Sequence, residues 1–298
     1  MKNIKSPEFA DSVETEVCGG TSFSYDPSAP TDIKSDKMTF FSVESALGFV
    51  HENENDPLTF VSAFAAPKGE GSFLFLETVH GHRGPALRAY ACVKENVFPE
   101  LLKLARDCRL AADNGRHSET HGLPENFGGR IDIRYESGER ISVSDNQSPV
   151  VDYGTACLIE RVFSAAMRGE PADVPGVPDI SAIRFREDFR SGGHREADLK
   201  IGPDGGKLKS LAEYPPSVYR SEKQIPPETV AEILETVEKS GLLCWADLPY
   251  DGYGFGSNES LTFVFREGSG LSEITVKNDR LVPDGLRRGF HDITLKLN

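Results

Sequence analysis

A run of features between residues 97 and 167 returns in the same order between residues 226 and 297, and this internal repetition constrains the fold more than any motif in the chain. In the first run, VFPELLKLARDCRL (97–110) places Leu101, Leu104, Ala105 and Cys108 on one face at helical spacing. In the second, PPETVAEILETVEKSGLL (226–243) does the same with Val230, Ile233, Leu234 and Val237. It opens on two prolines with Glu228 in the first turn and closes at Gly241. A Gly/Asn/Pro-rich loop follows each helix (113–129, then 247–258). After it comes an alternating strand, carrying Ile131, Ile133 and Tyr135 or Leu261, Phe263 and Phe265. Glycine turns at Gly138 and Gly268 lead into return strands with Ile141 and Val143 or Ile274 and Val276. Both runs then pass Pro149 or Pro283 into a final amphipathic segment, 155–167 or 286–297.

Upstream of each helix the pattern predicts strands: 38–43, 58–64, 72–79 and 86–93 in the first half, 180–185 and 197–206 in the second. The expected fold is therefore α+β: two diverged tandem copies of a small domain, each an antiparallel sheet with one main helix on a face and a short C-terminal helix. Residues 36–168 form the first copy and 179–298 the second. Between them the Pro/Gly connector at 169–178 interrupts every period. Residues 1–35, poor in large apolar side chains, read as a polar arm that is either disordered or laid along the surface.

The stretches Val230–Trp245 and Ser257–Asn278 carry a resemblance. A helix ending in Gly-Leu and Trp, followed by a glycine hairpin, resembles the small α+β domains, often in tandem, of uncharacterised proteins from gut-type bacteria. The resemblance implies a bacterial tandem α+β fold and no activity.

Composition narrows the function classes. With 33 basic against 47 acidic residues the formal charge is −14, which opposes nucleic acid and anionic membrane surfaces as partners. No window approaches a membrane-spanning length, and the N-terminus has no secretory apolar core. Five scattered cysteines (18, 92, 108, 157, 244) form no CxxC pair and no framework. They fit free thiols in a reducing, cytoplasmic setting.

Chemistry-bearing residues are sparse. His80 and His82 at a strand end, with His117 and His121 in the loop after the first helix, are imidazoles that could hold zinc if the two places met. The second half has no equivalent histidines, and solvated loop residues are the simpler reading. The loop YDGYGFGSN (250–258) lacks the lysine and the strand-to-helix context of a phosphate loop. Its Tyr250, Tyr253 and Phe255 are instead candidates for ligand or partner contact. Glu136 and Glu139 around Gly138, and Asp198 and Asp204, read as turn carboxylates. Arg184, Arg186, Arg190, His194 and Arg195 read as one solvated face balanced by Glu187, Asp188, Glu196 and Asp198, with a stripe for an acidic partner as the sharper alternative. Trp245 reads as a core anchor. No nucleophile elbow, catalytic cysteine context or cofactor loop is present.

The preferred expectation is a binding protein without catalysis or cofactor, recognising an unknown protein or small ligand. One rival is a metal-dependent hydrolase using His80, His82, His117 and His121. The other is an architectural subunit, a homo-oligomer in which strand edges pair between chains.

Overall fold

The computed structural model describes residues 14–18, 20–47, 57–81, 84–121, 127–172, 177, 180–189, 192–244, 259–266, 273–278 and 284–297. These group into two compact units, Met1–Ala89 with Val93–Glu170, and Tyr90–Cys92 with Pro171–Asn298. The fold is mixed α+β, with two sheets and four helices among the described residues. None of those helices is long and apolar enough to cross a membrane.

The first sheet contains β1 (Glu14–Cys18), β2 (Thr21–Tyr25), β3 (Met38–Ala46), β4 (Leu58–Lys68), β5 (Gly71–His80) and β6 (Ala86–Val93). After helix α1 (Phe98–Asp107) it gains β7 (Arg116–Thr120), β8 (Gly129–Tyr135) and β9 (Arg140–Asp145), and helix α2 (Tyr153–Ala166) follows. Its strand order is β1-β2-β7-β9-β8-β3-β4-β5-β6. The second sheet contains β10 (Ile180–Asp188), β11 (His194–Gly202), β12 (Gly205–Tyr214) and β13 (Ser217–Ile225). Helix α3 (Pro227–Ser240) intervenes before β14 (Glu259–Phe265), β15 (Glu273–Lys277) and helix α4 (Asp284–Leu297). Its order is β13-β12-β11-β10-β14-β15.

Read from the other end, the second order is β15-β14-β10-β11-β12-β13, which matches β9-β8-β3-β4-β5-β6 strand for strand. An irregularity recurs at one place in both. The ladder of β3 on β8 shifts between Met38 and Phe40, and that of β10 on β14 shifts between Ile180 and Ala182. In each bulge a hydroxyl donates to the partner strand's carbonyl, Thr39 Oγ1 to Arg134 O at 3.3 Å and Ser181 Oγ to Val264 O at 3.2 Å.

Strand alternation sends Phe41, Val43, Ile131 and Ile133 to one face of the first sheet, all buried. There Phe163 of α2 meets Phe41 at a centroid distance of 5.8 Å. The phenol of Tyr135, buried on the same sheet, is pushed up to about 12, first by loss of solvent. Asp152 caps α2, its Oδ1 accepting from Thr155 N at 2.8 Å. In the second sheet Ile183, Phe185, Leu261 and Phe263 are the buried set, and Phe290 of α4 packs on Phe185 at 6.5 Å. Val230, Ile233 and Val237 form the buried stripe of α3, which ends at Gly241 in the left-handed region at φ 67°.

Several expectations change. Within residues 1–35, read as an arm either disordered or laid along the surface, β1 and β2 extend the first sheet. The first sheet is not purely antiparallel, because β7, inside what reads as a loop, pairs parallel with β9 at His117–Ser144 and Ser118–Asp145. The final helices are not short, since α2 and α4 each have 14 residues against 10 in α1. Finally, residues 205–225 form a complete hairpin, β12 and β13, that the sequence pattern misses.

Two substitutions test the packing from opposite directions. Phe163→Ala should cost about 3–5 kcal/mol in urea unfolding, through lost burial plus the cavity left behind. Arg109, exposed at φ 51°, sits just after α1 in a conformation suited to glycine. Arg109→Gly should therefore raise stability by up to about 1 kcal/mol.

Candidate functional site

The three described histidines of the candidate group, His80, His117 and His121, do not converge. His80 ends β5 and pairs through Nε2 with Glu160 Oε1 of α2 at 2.9 Å. His117 lies on β7 and its Nδ1 contacts Ser144 Oγ at 2.9 Å, while His121 Nδ1 is 3.7 Å from Glu119. Four strands separate β5 from β7 in the sheet order, roughly 24 Å along the sheet at about 4.8 Å per step. No three His, Cys, Asp or Glu side chains among the described residues gather in a metal-holding group. His82, Trp245, Tyr250, Tyr253 and Phe255 lie outside the described residues.

Other singled-out residues find structural partners. Glu139 accepts from the backbone N–H groups of Lys34 and Ser35 at 2.9 and 2.8 Å, tying that segment to the β8–β9 turn. These bonds hold its carboxyl below the usual range. Glu136 pairs with Lys37. The nearby buried carboxylate, Asp132, accepts a bidentate pair from Arg140 at 2.8 Å to each oxygen and a further contact from Arg134 at 3.2 Å.

The structure does assemble one site from the arginine stripe. On β10, Arg184 and Arg186 point away from the face that carries Ile183 and Phe185. The registers then set rows of charge across the strands. In one row Thr275, Thr262, Arg184, Asp198, Lys209 and Glu222 follow one another from β15 to β13. In the next, Ser260, Arg186, Glu196, Leu211 and Arg220 do so. This face lines an open cavity of about 770 Å³.

Opposite charges alternate across it. Arg186 bonds Asp188 at 2.9 Å and Glu196 at 2.8 Å. Arg184 lies 3.8 Å from Asp198 and 3.7 Å from Glu273, and Lys207 and Lys209 lie 2.6 and 3.8 Å from Glu222. The hydrogen bond from Lys207 holds Glu222 low, and that from Arg186 does the same for Asp188, so both stay ionised at neutral pH. Thr262 and Thr275 share a hydroxyl contact of 2.9 Å at the far end. Asp198 Oδ1, shielded from solvent, makes no hydrogen bond beside its 3.8 Å ion pair with Arg184, and Arg220 is exposed without an ion pair among the described residues.

Sequence reading captured half of this. Arg184, Arg186 and His194 fall on the charged face, whereas Arg195 belongs to the other, its guanidinium 5.2 Å from the Phe185 ring centroid. Lys209, Arg220 and Glu222 were missed with their hairpin. Alternating charge in KLKS and YRSEK was the available signal. Compared with protein-family models and with curated proteins, the chain matches none.

His117 supplies a pH test. Burial, then the Arg140 guanidinium, hold its imidazole below the ordinary 6.5. Below about 6.5 the unfolded chain takes up a proton at this site that the folded chain resists, so stability falls as pH drops through the window beneath that value. Thermal midpoints measured from pH 7 to pH 5 should fall more steeply for the parent than for His117→Gln.

Proposed function

We propose that the chain is a recognition protein built from two diverged copies of one α+β module, and that it recognises its partner through the charged face of the second sheet. What supports common descent is the shared strand order and the same hydroxyl-bonded bulge at Thr39 and Ser181. The observation that carries the functional reading is what occupies equivalent positions on the two faces. Aligned through that bulge, Phe64, Phe75 and Phe73, all buried, correspond to Asp198, Lys209 and Lys207. Ser42 and Glu44 likewise correspond to Arg184 and Arg186. One copy uses this face for burial, and the other presents an ionic lattice to solvent.

A lattice of alternating charge, in which Asp198 Oδ1 accepts no hydrogen bond and Arg220 has no ion pair among the described residues, suits a polar, extended partner such as a peptide segment, which can exchange ion pairs row by row. Cys92 and Cys244 are buried, as suits thiols in a cytoplasmic, reducing setting.

The test is native mass spectrometry of the chain purified gently from its own cells, beside Arg186→Ala/Lys209→Ala. Removing exposed ion pairs alters stability by less than about 1 kcal/mol, so the variant remains folded. We expect a companion mass on the parent that weakens by roughly thirtyfold or more in the variant, about 2 kcal/mol. Equal retention by both would move recognition off this face. A stoichiometric transition-metal increment would favour the hydrolase reading instead.

A further inference from the structure

We propose that β13 is a self-association edge, through which two copies of this chain pair antiparallel about Ser221 into one continuous sheet. β13 is the terminal strand of the second sheet, nine residues long, in unbroken register with β12, and exposed from Ser217 to Gln224. Edges that must stay single are short, bulged, broken by proline or guarded by charge; this strand is long and unbroken, and its charges, Arg220, Glu222 and Lys223, are of mixed sign.

The occupant follows from charge. A two-fold axis normal to the sheet keeps each side chain on its own face, so symmetric pairing must centre on a residue. Centred on Ser221, the strand SVYRSEKQI sets Arg220 against Glu222 of the other copy and Glu222 against its Arg220. On the opposite face Tyr219, 62% exposed, meets the other copy's Lys223, an ammonium beside a phenol ring. Centring on Arg220, Glu222 or Lys223 instead puts like charges opposite, and centring on Tyr219 pairs no charges at all.

Within one chain Arg220 has no ion pair among the described residues, and the seam supplies one. Glu222, held by Lys207 at 2.6 Å and with Lys209 at 3.8 Å, keeps lone pairs for a further cation. The seam would also join the two charged faces, since Arg220 and Glu222 line the cavity on β10–β14, so each copy would complete the other's rows. Association of the purified chain is independent of the companion sought above, and either result can fail without the other.

Sedimentation equilibrium of the full chain across the micromolar range tests the seam with two exposed reversals. Arg220→Glu sets carboxylates against carboxylates and Glu222→Arg sets cations against cations. Each should weaken the dimer by about tenfold or more. An equimolar mixture of the two variants restores opposite charges at both pairs and should recover the parent's association. Circular dichroism checks that each variant folds. Amide exchange of residues 217–225 in the parent supports the seam if protection rises with concentration, whatever the variants' stability. A parent that stays monomeric, a dimer indifferent to both reversals, or exchange independent of concentration overturns the proposal.

Discussion

The register of β10 between β11 and β14 decides what every side chain of the second unit can do. Ile183 and Phe185 turn to α4 and the core, and Arg184 and Arg186 turn to the open face. A slip of one residue would bury both guanidiniums and expose both apolar side chains. The bulge at Ser181 fixes the start of that register, with its hydroxyl on Val264 O. The same device at Thr39 orients Phe41 and Val43 in the first unit. The helix-facing side is constrained alike in both sheets, where Phe41 and Phe185 meet Phe163 and Phe290, and the other side is free to differ between them.

The contrast between the two ionic clusters shows what that freedom is used for. Asp132 is closely enclosed, with Arg140 on both oxygens and Arg134 beside it, while Arg134 also lies 5.0 Å from the Phe40 ring centroid. Removing one partner there would leave a shielded charge uncompensated, so the cluster is part of the architecture. Arg184, Lys209 and Glu222 remain about half exposed in their pairs. Solvent screens such pairs, and they add little to stability.

Much of the architecture is legible in the sequence because it is local. The α1 and α3 stripes at i, i+3, i+4 and i+7, the Gly138 turn and the alternating β8 and β14 need only neighbouring residues to be recognised. β7 was hidden because Arg116–Thr120 has no apolar alternation, and it is a strand through its ladder with β2 and its parallel contacts with β9. The β12–β13 hairpin was hidden because β13 is exposed from Ser217 to Gln224 and shows no apolar alternation, and Pro215 and Pro216 form the turn itself. The candidate site was half legible for the same reason. Alternation on β10 announces the arginines, but pairing Asp198 with Lys209 and Lys209 with Glu222 is a property of the assembled ladders.

An exposed lattice that contributes little to stability still has a consequence for how a partner binds. Arg184, Arg186, Lys207 and Lys209 are already part-solvated and part-paired, so on the proposed reading an incoming carboxylate would replace a weak contact and avoid stripping a fully hydrated cation. The rows run across the strands, from Thr275 to Glu222, so a segment lying along them meets acceptors and donors in alternation. Such a surface discriminates by charge order more than by apolar area, because a segment in the wrong order sets like charges opposite one another. The equivalent face of the first unit, with Phe64, Phe73 and Phe75 buried, cannot make that distinction. The two sheets thus share a strand order while one carries an apolar and the other an ionic version of this face, and on the proposed reading only the ionic one would meet a partner.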